Sequence, residues 1–557
     1  MSLNSEEIVQ AIDRRLFIKS GRQLKDVEKI VLRGAWEAKT YEQIADTCQY
    51  SLTYIKQAAA PRLWKLLSDI LEENISKTNF RLVIESKWDN LSLGNLPKSK
   101  FSQNRQETGI NNLENLEVNS RQDWNQAPEI NVFYGRNVEL EQLKQWLIQD
   151  NCRLIAITGM GGMGKTALAV RCAQQVQDKF DCLIWRNLQH TSTLKELIRD
   201  LMEFLAPGSY RDLQDLDEQI SSLIVHLRHQ KCLIILDTAT AILQSGSLAG
   251  NYREEYQNYG KLLRRLGKEL HQSCLILISR EKPKEIALME GENSPVRSLS
   301  LKGLGEAAKK ILQAKQLSDE GKWSNLIAIY RGNPLALNIV ASTIKEIFGG
   351  KVATFLRQET IIFGELNDIL DEQFESISVT EQEILYWLAI EAEPISFSGL
   401  RSDLLAPITP ASLIEAIESL LRRSLIERNV VAEEILFSLQ QPVVIQYVLN
   451  RIRDQIAQEI QEASKSQNLN KINLLRTIAL VKAQDQQAIP NQLLLRPIID
   501  QLCIIFKDEN LIEQQLRKIL SFLEGKTSLA VGYAKYNLEH LLLALQSQPL
   551  NVSTFGY

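Results

Sequence analysis

Apolar residues change rhythm along the chain, and each change marks a boundary. Over residues 1–90 they recur at helical spacing. SEEIVQAIDRRLF starts behind Ser5, a residue suited to an N-cap, and Leu24–Leu32 repeats the pattern. Thr40–Ala45 begins a short helix, Cys48–Ser51 reads as a turn, and a second short helix runs on from Ser51. Two short helices across a tight turn give a helix-turn-helix outline. Over 91–127 the rhythm dissolves into Asn, Gln, Ser and charge. That composition predicts a flexible linker, with Trp124 as its one large apolar anchor onto the next domain.

Residues 128–300 alternate continuous apolar runs with amphipathic stretches. The runs fall at Leu154–Ile157, 182–188, 231–239 and 273–280, with helical patterns over 193–206, 215–230 and 259–270. Runs without polar alternation fit strands covered on both faces. Their alternation with helices predicts a doubly wound parallel α/β sheet. Residues 301–375 are helical, with Gly332-Asn333-Pro334 ending one helix and starting the next. Residues 376–450 give helices followed by a hairpin, Ser424–Asn429 with Glu434–Leu439, in the order of a winged helix. Residues 451–557 read as a further helical region without catalytic signature.

Composition narrows this picture. A length of 557 residues gives a prior of about three to five domains. With 44% hydrophobic residues, 24% charged residues and a net charge of −4, no overall electrostatic grip on nucleic acid is expected, though one domain remains free to bind it. The seven cysteines form no CxxC or Cys/His cluster, so neither zinc nor a disulfide framework is expected. No apolar run reaches the roughly 18 residues of a membrane span, and no signal-peptide pattern opens the chain. The expectation is a cytoplasmic protein with no membrane partner.

The chemistry concentrates in Gly159-Met160-Gly161-Gly162-Met163-Gly164-Lys165-Thr166, between the apolar run Leu154–Ile157 and a helix opening at Ala167. G-x-x-x-x-G-K-T between strand and helix is a phosphate-binding P-loop. The four glycines let the backbone fold into a nest of N–H groups, and the helix N-terminus adds to its pull on phosphate. Lys165 is expected at the β- and γ-phosphates, and Thr166 on Mg²⁺. Asp237 and Arg280 end apolar runs, at the carboxyl edge where such sheets bind ligands. The fold class is therefore multidomain, an α/β P-loop NTPase domain among helical domains.

Residues 40–65 leave two readings open. The stretch resembles DNA-binding helix-turn-helix units of the sigma-factor and response-regulator type. That resemblance sets Thr53, Tyr54, Lys56, Gln57 and Arg62 toward a major groove, with Arg62 and Lys65 at phosphates. The other reading is a protein-interaction domain, because Pro61 breaks or kinks the second helix and acidic and basic residues nearly balance.

The order of motifs over roughly 128–450 resembles the NB-ARC family of STAND P-loop ATPases. LRGAWEAKTYEQIA, YIKQ, LWKLLS and SKTNFR extend the resemblance to cyanobacterial members with an N-terminal vWA-MoxR-associated helical domain. It implies domains at 1–90, 128–300 (nucleotide binding), 301–375 (the helical ARC domain), 376–450 (winged helix) and 451–557, with the linker at 91–127. It implies that Tyr134, Gly135 and Arg136, within Phe133-Tyr134-Gly135-Arg136, border adenine. Gly159, Met160, Gly161, Gly162, Met163, Gly164, Lys165, Thr166 and Ala167 hold the phosphates. Thr166 and Asp237 hold Mg²⁺, Lys165, Asp237 and Arg280 act on the triphosphate, and Arg280 reads its γ-phosphate. Pro334 and Leu335, in Gly332-Asn333-Pro334-Leu335-Ala336-Leu337, pack on the nucleotide. The implied activity is an ATP/ADP switch that opens and self-associates on exchange, with a protein ligand or sensor as a further partner. The runner-up is an ATP-regulated DNA-binding regulator. A motor ATPase is disfavoured by Thr238, which stands where many members carry a second acidic residue and cannot act as a carboxylate base. Slow or absent turnover follows. Leu439-Gln440-Gln441 replaces the Met-His-Asp of other members. It reads equally as a non-titrating contact to the nucleotide and as a polar helix start before Pro442.

Overall fold

The computed structural model describes residues 121–547 except 191–192, 209–212, 359–360, 392, 406–407, 432, 440, 467, 469–470 and 482–493. Within the first 120 it describes 8–9, 12–13, 16, 24, 26–37, 39–46, 55, 60–71, 75 and 79–86. The chain divides into two compact units, Met1–Asn115 and Leu116–Tyr557.

In the first unit, helices Asp26–Trp36, Tyr41–Asp46, Ala60–Leu71 and Phe80–Ser86 enclose a core that includes Ile12, Leu32, Ile44, Leu63 and Phe80. Thr40 and Gln43 cap the second helix reciprocally, each backbone N–H donating to the other's side chain at 2.9 and 3.2 Å. Trp64 donates its indole N–H to the Tyr41 hydroxyl at 2.9 Å, tying two helices together. Of the expected DNA contacts, Thr53, Tyr54, Lys56 and Gln57 lie outside the described residues, as do the side chains of Arg62 and Lys65.

The second unit is built on a six-stranded sheet of β1 (Arg121–Asp123), β2 (Leu154–Thr158), β3 (Cys182–Asn187), β4 (Cys232–Asp237), β5 (Cys274–Ile278) and β6 (Val296–Ser300). Its order is β1-β3-β4-β5-β2-β6, and every pairing is parallel. Alternate residues feed opposite faces: Ile155, Trp185, Ile235 and Ile276 join one core, while Ala156, Ile184, Ile234 and Leu275 join the other. This is why the strands read as unbroken apolar runs. The topology puts β5 between the P-loop strand β2 and the Asp237 strand β4.

One correction falls at the linker. Expected to run to 127, it gives way to β1 at Arg121, which pairs with β3. Three polar residues suffice there because an edge strand needs one ladder and little burial. Trp124 stacks on Trp185 with ring centroids 6.3 Å apart, and Arg186 pairs with Asp123 at 2.8 Å. These contacts depend on β3, some 60 residues away, and leave no local pattern.

After β6 come helices that include Trp323–Ile329, Pro334–Ile347 and Glu365–Glu375. Helices Val379–Glu391, Phe397–Asp403 and Pro410–Arg422 follow, with a three-stranded sheet of β7 (Ile395–Ser396), β8 (Ile426–Val431) and β9 (Glu434–Leu439) in the order β7-β9-β8. A 25-residue helix, Pro442–Ser466, leads into the last helices, ending with Ala534–Ser547. One continuous hydrophobic cluster runs from a face of the large sheet through all of these segments. Among the described residues no helix is long and apolar enough to cross a membrane, and no group of three or more His, Cys, Asp or Glu is placed to hold a metal ion.

Candidate functional site

β2 delivers the glycine-rich loop to the carboxyl edge of the sheet, and the helix Lys165–Val176 leaves it. Gly162 adopts φ 77°, and a Cβ there would lie 2.6 Å from the Leu335 Cβ, so both conformation and space exclude a side chain. The loop's carbonyls are engaged from 159 through 163. Lys165 Nζ donates to the Gly159 and Met160 carbonyls, both at 2.8 Å. Asn333 Nδ2 donates to the Gly161 carbonyl at 2.9 Å, and the Leu335 backbone N–H to that of Gly162 at 3.3 Å. Arg136 Nη2 donates to the Met163 carbonyl at 3.0 Å. With these carbonyls engaged by donors of the protein, the loop's N–H groups are what it can offer an anion, as an anion nest requires.

Gly161, Gly162, Lys165, Thr166, Asp237 and Arg280 line one cavity of about 530 Å³. Thr166 donates its hydroxyl to Asp237 Oδ1 at 3.1 Å, and the Thr238 N–H donates to the same oxygen at 2.7 Å. Burial pushes the Asp237 carboxyl up, against the pull of those two hydrogen bonds and of Lys165. Burial, and then the Arg280 charge, push the Lys165 ammonium down to about 7. Four cations (Lys165, Arg253, Arg280 and Arg423) and three carboxylates (Asp237, Glu281 and Glu372) line the cavity, and the Lys165 and Arg280 charges beside the glycine-rich loop suit an anionic occupant. One hydroxyl beside one carboxylate is the sparse donor set that Mg²⁺ takes from protein when phosphates and water supply the rest. The residues present therefore fit a phosphate ligand with Mg²⁺.

Arg280 leaves β5 over the loop: a Cβ on Gly161 would lie 3.8 Å from its Nε. Its Nη2 reaches Glu372, on the helix Glu365–Glu375, at 2.9 Å. Its backbone N–H donates to Thr240 Oγ1 at 2.9 Å, linking the end of β5 to the segment after β4. The next residue, Glu281, is buried and pairs with Arg423 at 3.0 Å. Arg423 also faces Glu381 at 3.4 Å and donates to the Ser247 carbonyl at 2.7 Å. Burial pushes Glu281 up to about 7, opposed by Arg423 and the Gly250 N–H and reinforced by Glu381.

The remaining expected residues divide. Tyr134, Gly135, Arg136, Pro334 and Leu335 are not in the lining of the 530 Å³ cavity. The Arg136 side chain goes to the Met163 carbonyl, at 3.0 Å, and to Glu139, at 2.7 Å, so it braces the loop. Pro334 opens the helix Pro334–Ile347 as its first residue. Gln441 is buried and donates to Met160 Sδ at 3.0 Å, which puts the Gln441 position against the loop; Gln440 lies outside the described residues. Asn333, Glu372, Glu281 and Arg423 were not singled out as site residues from sequence. Each acts across a long separation, and only Asn333 sat inside a motif that drew attention.

A parallel sheet with a P-loop at its carboxyl edge defines a P-loop NTPase-like α/β domain. Residues 136–241 match the NB-ARC domain model, and residues 3–87 match that of the vWA-MoxR associated protein N-terminal HTH domain. Both matches are to segments of the chain, the helix-turn-helix model first in sequence and the NB-ARC model after it. The chain is 38% identical over 506 residues to an uncharacterized WD repeat-containing protein of Nostoc sp., covering 83% of this chain and 39% of that protein. This chain therefore spans well under half the length of that relative. Disease resistance protein RPS5 of Arabidopsis thaliana is 29% identical over 119 residues, 21% of this chain and 13% of that one. Among solved structures, a Signal Transduction ATPase with Numerous Domains (STAND) protein with a tetratricopeptide repeat sensor from Pyrococcus horikoshii aligns over 76% of this chain and 59% of its own. Identity there is 19% and the TM-score 0.31, a likeness that carries no functional weight.

Proposed function

We propose that this chain is an ATP/ADP-binding signalling switch whose nucleotide state sets how the segments after residue 300 pack on the α/β domain. The observation carrying this reading is the composition of the cavity wall. Gly161, Lys165, Thr166 and Asp237 come from the α/β domain, whereas Glu372, Gln373, Ser376 and Arg423 come from the segments that follow. A ligand in this cavity therefore meets both.

In this reading the loop N–H groups and Lys165 bind the phosphates, and Thr166 and Asp237 hold Mg²⁺, which neutralises phosphate charge. Residues 376–450 act as a winged-helix module, docked in the ADP state. Arg280 exchanges Glu372 for a γ-phosphate, and loss of that ion pair loosens the docking and permits self-association. Thr238 offers no carboxylate, so hydrolysis is a slow reset. The bias is limited by the difference in nucleotide affinity between the docked and undocked forms.

The test is the nucleotide that accompanies the purified protein and its dependence on Lys165. Near-stoichiometric ADP in the wild type and none in Lys165→Ala is the expected result. Equal tight ATP binding by both proteins contradicts the phosphate assignment.

A further inference from the structure

Asn333 occupies the point where a helix N-terminus meets the glycine-rich loop. Its Oδ1 accepts from the backbone N–H groups of Leu335 and Ala336 at 3.1 and 3.3 Å, capping the helix Pro334–Ile347. That fixes the amide: a flipped side chain would set its NH₂ against those N–H groups and its oxygen against the Gly161 carbonyl. Nδ2 must therefore face Gly161, where it donates at 2.9 Å across 172 residues of sequence. The same Leu335 N–H is shared, as a three-centre bond, with the Gly162 carbonyl at 3.3 Å. Two consecutive carbonyls of the loop are thus satisfied by one turn that is not part of the loop. Asn333 is itself buried, at 7% exposure, so water has little access to replace it.

We infer that Asn333 is a positioning residue that makes the phosphate affinity of the loop conditional on docking of the helix Pro334–Ile347. When that helix leaves, the Gly161 and Gly162 carbonyls lose their donors together. A peptide plane freed on one side turns its carbonyl toward the cavity, where it repels a phosphate oxygen that an N–H would attract. Helix position and phosphate affinity are then one equilibrium, and by linkage the phosphate favours the docked helix as strongly as the docked helix favours the phosphate. The inference rests on the nucleotide-binding reading and adds to it a route from the site to the helical segment that does not pass through Arg280.

Asp and Ser separate this role from helix capping, because both keep the cap and neither donates to Gly161 as the amide does. Titration of the full chain with Mg²⁺-ADP is the first arm. Asn333→Asp and Asn333→Ser should melt without ligand within about 2 °C of wild type and bind ADP at least about tenfold more weakly, which corresponds to about 1.4 kcal/mol. Wild-type affinity in both variants overturns the inference, as does weakening in Asp alone, which reports charge repulsion. The second arm needs no nucleotide: in a crystal structure of unliganded Asn333→Ser the Gly161 carbonyl should have turned, and an unmoved loop overturns the inference. A wild-type chain that takes up no ADP removes the proposed function, and the second arm then decides the role of Asn333 alone.

Discussion

Lys165 shows how much of this site is set by single residues. It is buried beside a second cation, is held by two carbonyls of its own loop, and has its charged form disfavoured. An anion in the cavity relieves all of this, so Lys165→Ala should lose nucleotide binding, read by calorimetry, while retaining its fold by circular dichroism. Gly303, just past β6, carries a different constraint. A Cβ there would lie 1.7 Å from the Arg331 backbone carbonyl, where the chain also pairs Leu304 N–H with the Gly332 carbonyl at 2.9 Å. Gly303→Ala should destabilise by about 1–3 kcal/mol, checked by thermal or urea unfolding, because neither backbone can step aside cheaply. Lys165, Thr166 and Asp237 were legible in sequence because local chemistry announces them: strand, glycine-rich turn, Lys-Thr, and an apolar run ending in Asp. Gly303 and Glu281 were not, since their meaning lies in a partner more than 25 residues away. Arg136 was legible as a residue of interest, but its bond to the Met163 carbonyl is not something spacing alone reveals.

At the scale of elements, the end of β5 joins two contacts that neither residue makes alone. Arg280 reaches Glu372, and Glu281 reaches Arg423, so adjacent residues address the helix Glu365–Glu375 and the end of the helix Pro410–Arg422. The two pairs differ in energy. The first is half exposed and worth at most about 1 kcal/mol. The second is buried, and removing Arg423 takes the cation from Glu281 and Glu381 together, at about 3–5 kcal/mol where Glu281 is ionised. Arg423→Gln should therefore speed hydrogen exchange over 242–250 and 410–425 while leaving β2 and β5 protected. Unchanged protection in the first two segments would show that Arg423 does not hold them together. The strands and most helices were readable from sequence because their apolar rhythm records burial on one face or two. β1 was not, because three polar residues at a sheet edge make no rhythm. The contact of Gln441 with Met160 is likewise a product of packing across some 280 residues.

For the whole molecule, Glu281 links stability to pH. Its ordinary value is 4.5 and burial lifts it to about 7 in the folded chain. Between those values the folded chain keeps a proton that the unfolded chain has released. Stability therefore falls as pH rises from about 4.5 to 7, and the slope should flatten in Glu281→Gln, read from melting temperatures across that range. Arg423 lowers the folded value and Glu381 raises it, so these facing charges set how far the pH window extends. One hydrophobic cluster joins the α/β sheet to every later segment, so a switch must move modules against each other without dissolving that core. The central claim is that the occupant of the 530 Å³ cavity decides this arrangement. Small-angle X-ray scattering of the full chain, saturated in turn with Mg²⁺-ADP and with a non-hydrolysable ATP analogue, tests it most directly. The account predicts a larger radius of gyration or molecular mass with the analogue than with ADP. Superimposable profiles with both nucleotides bound would contradict it.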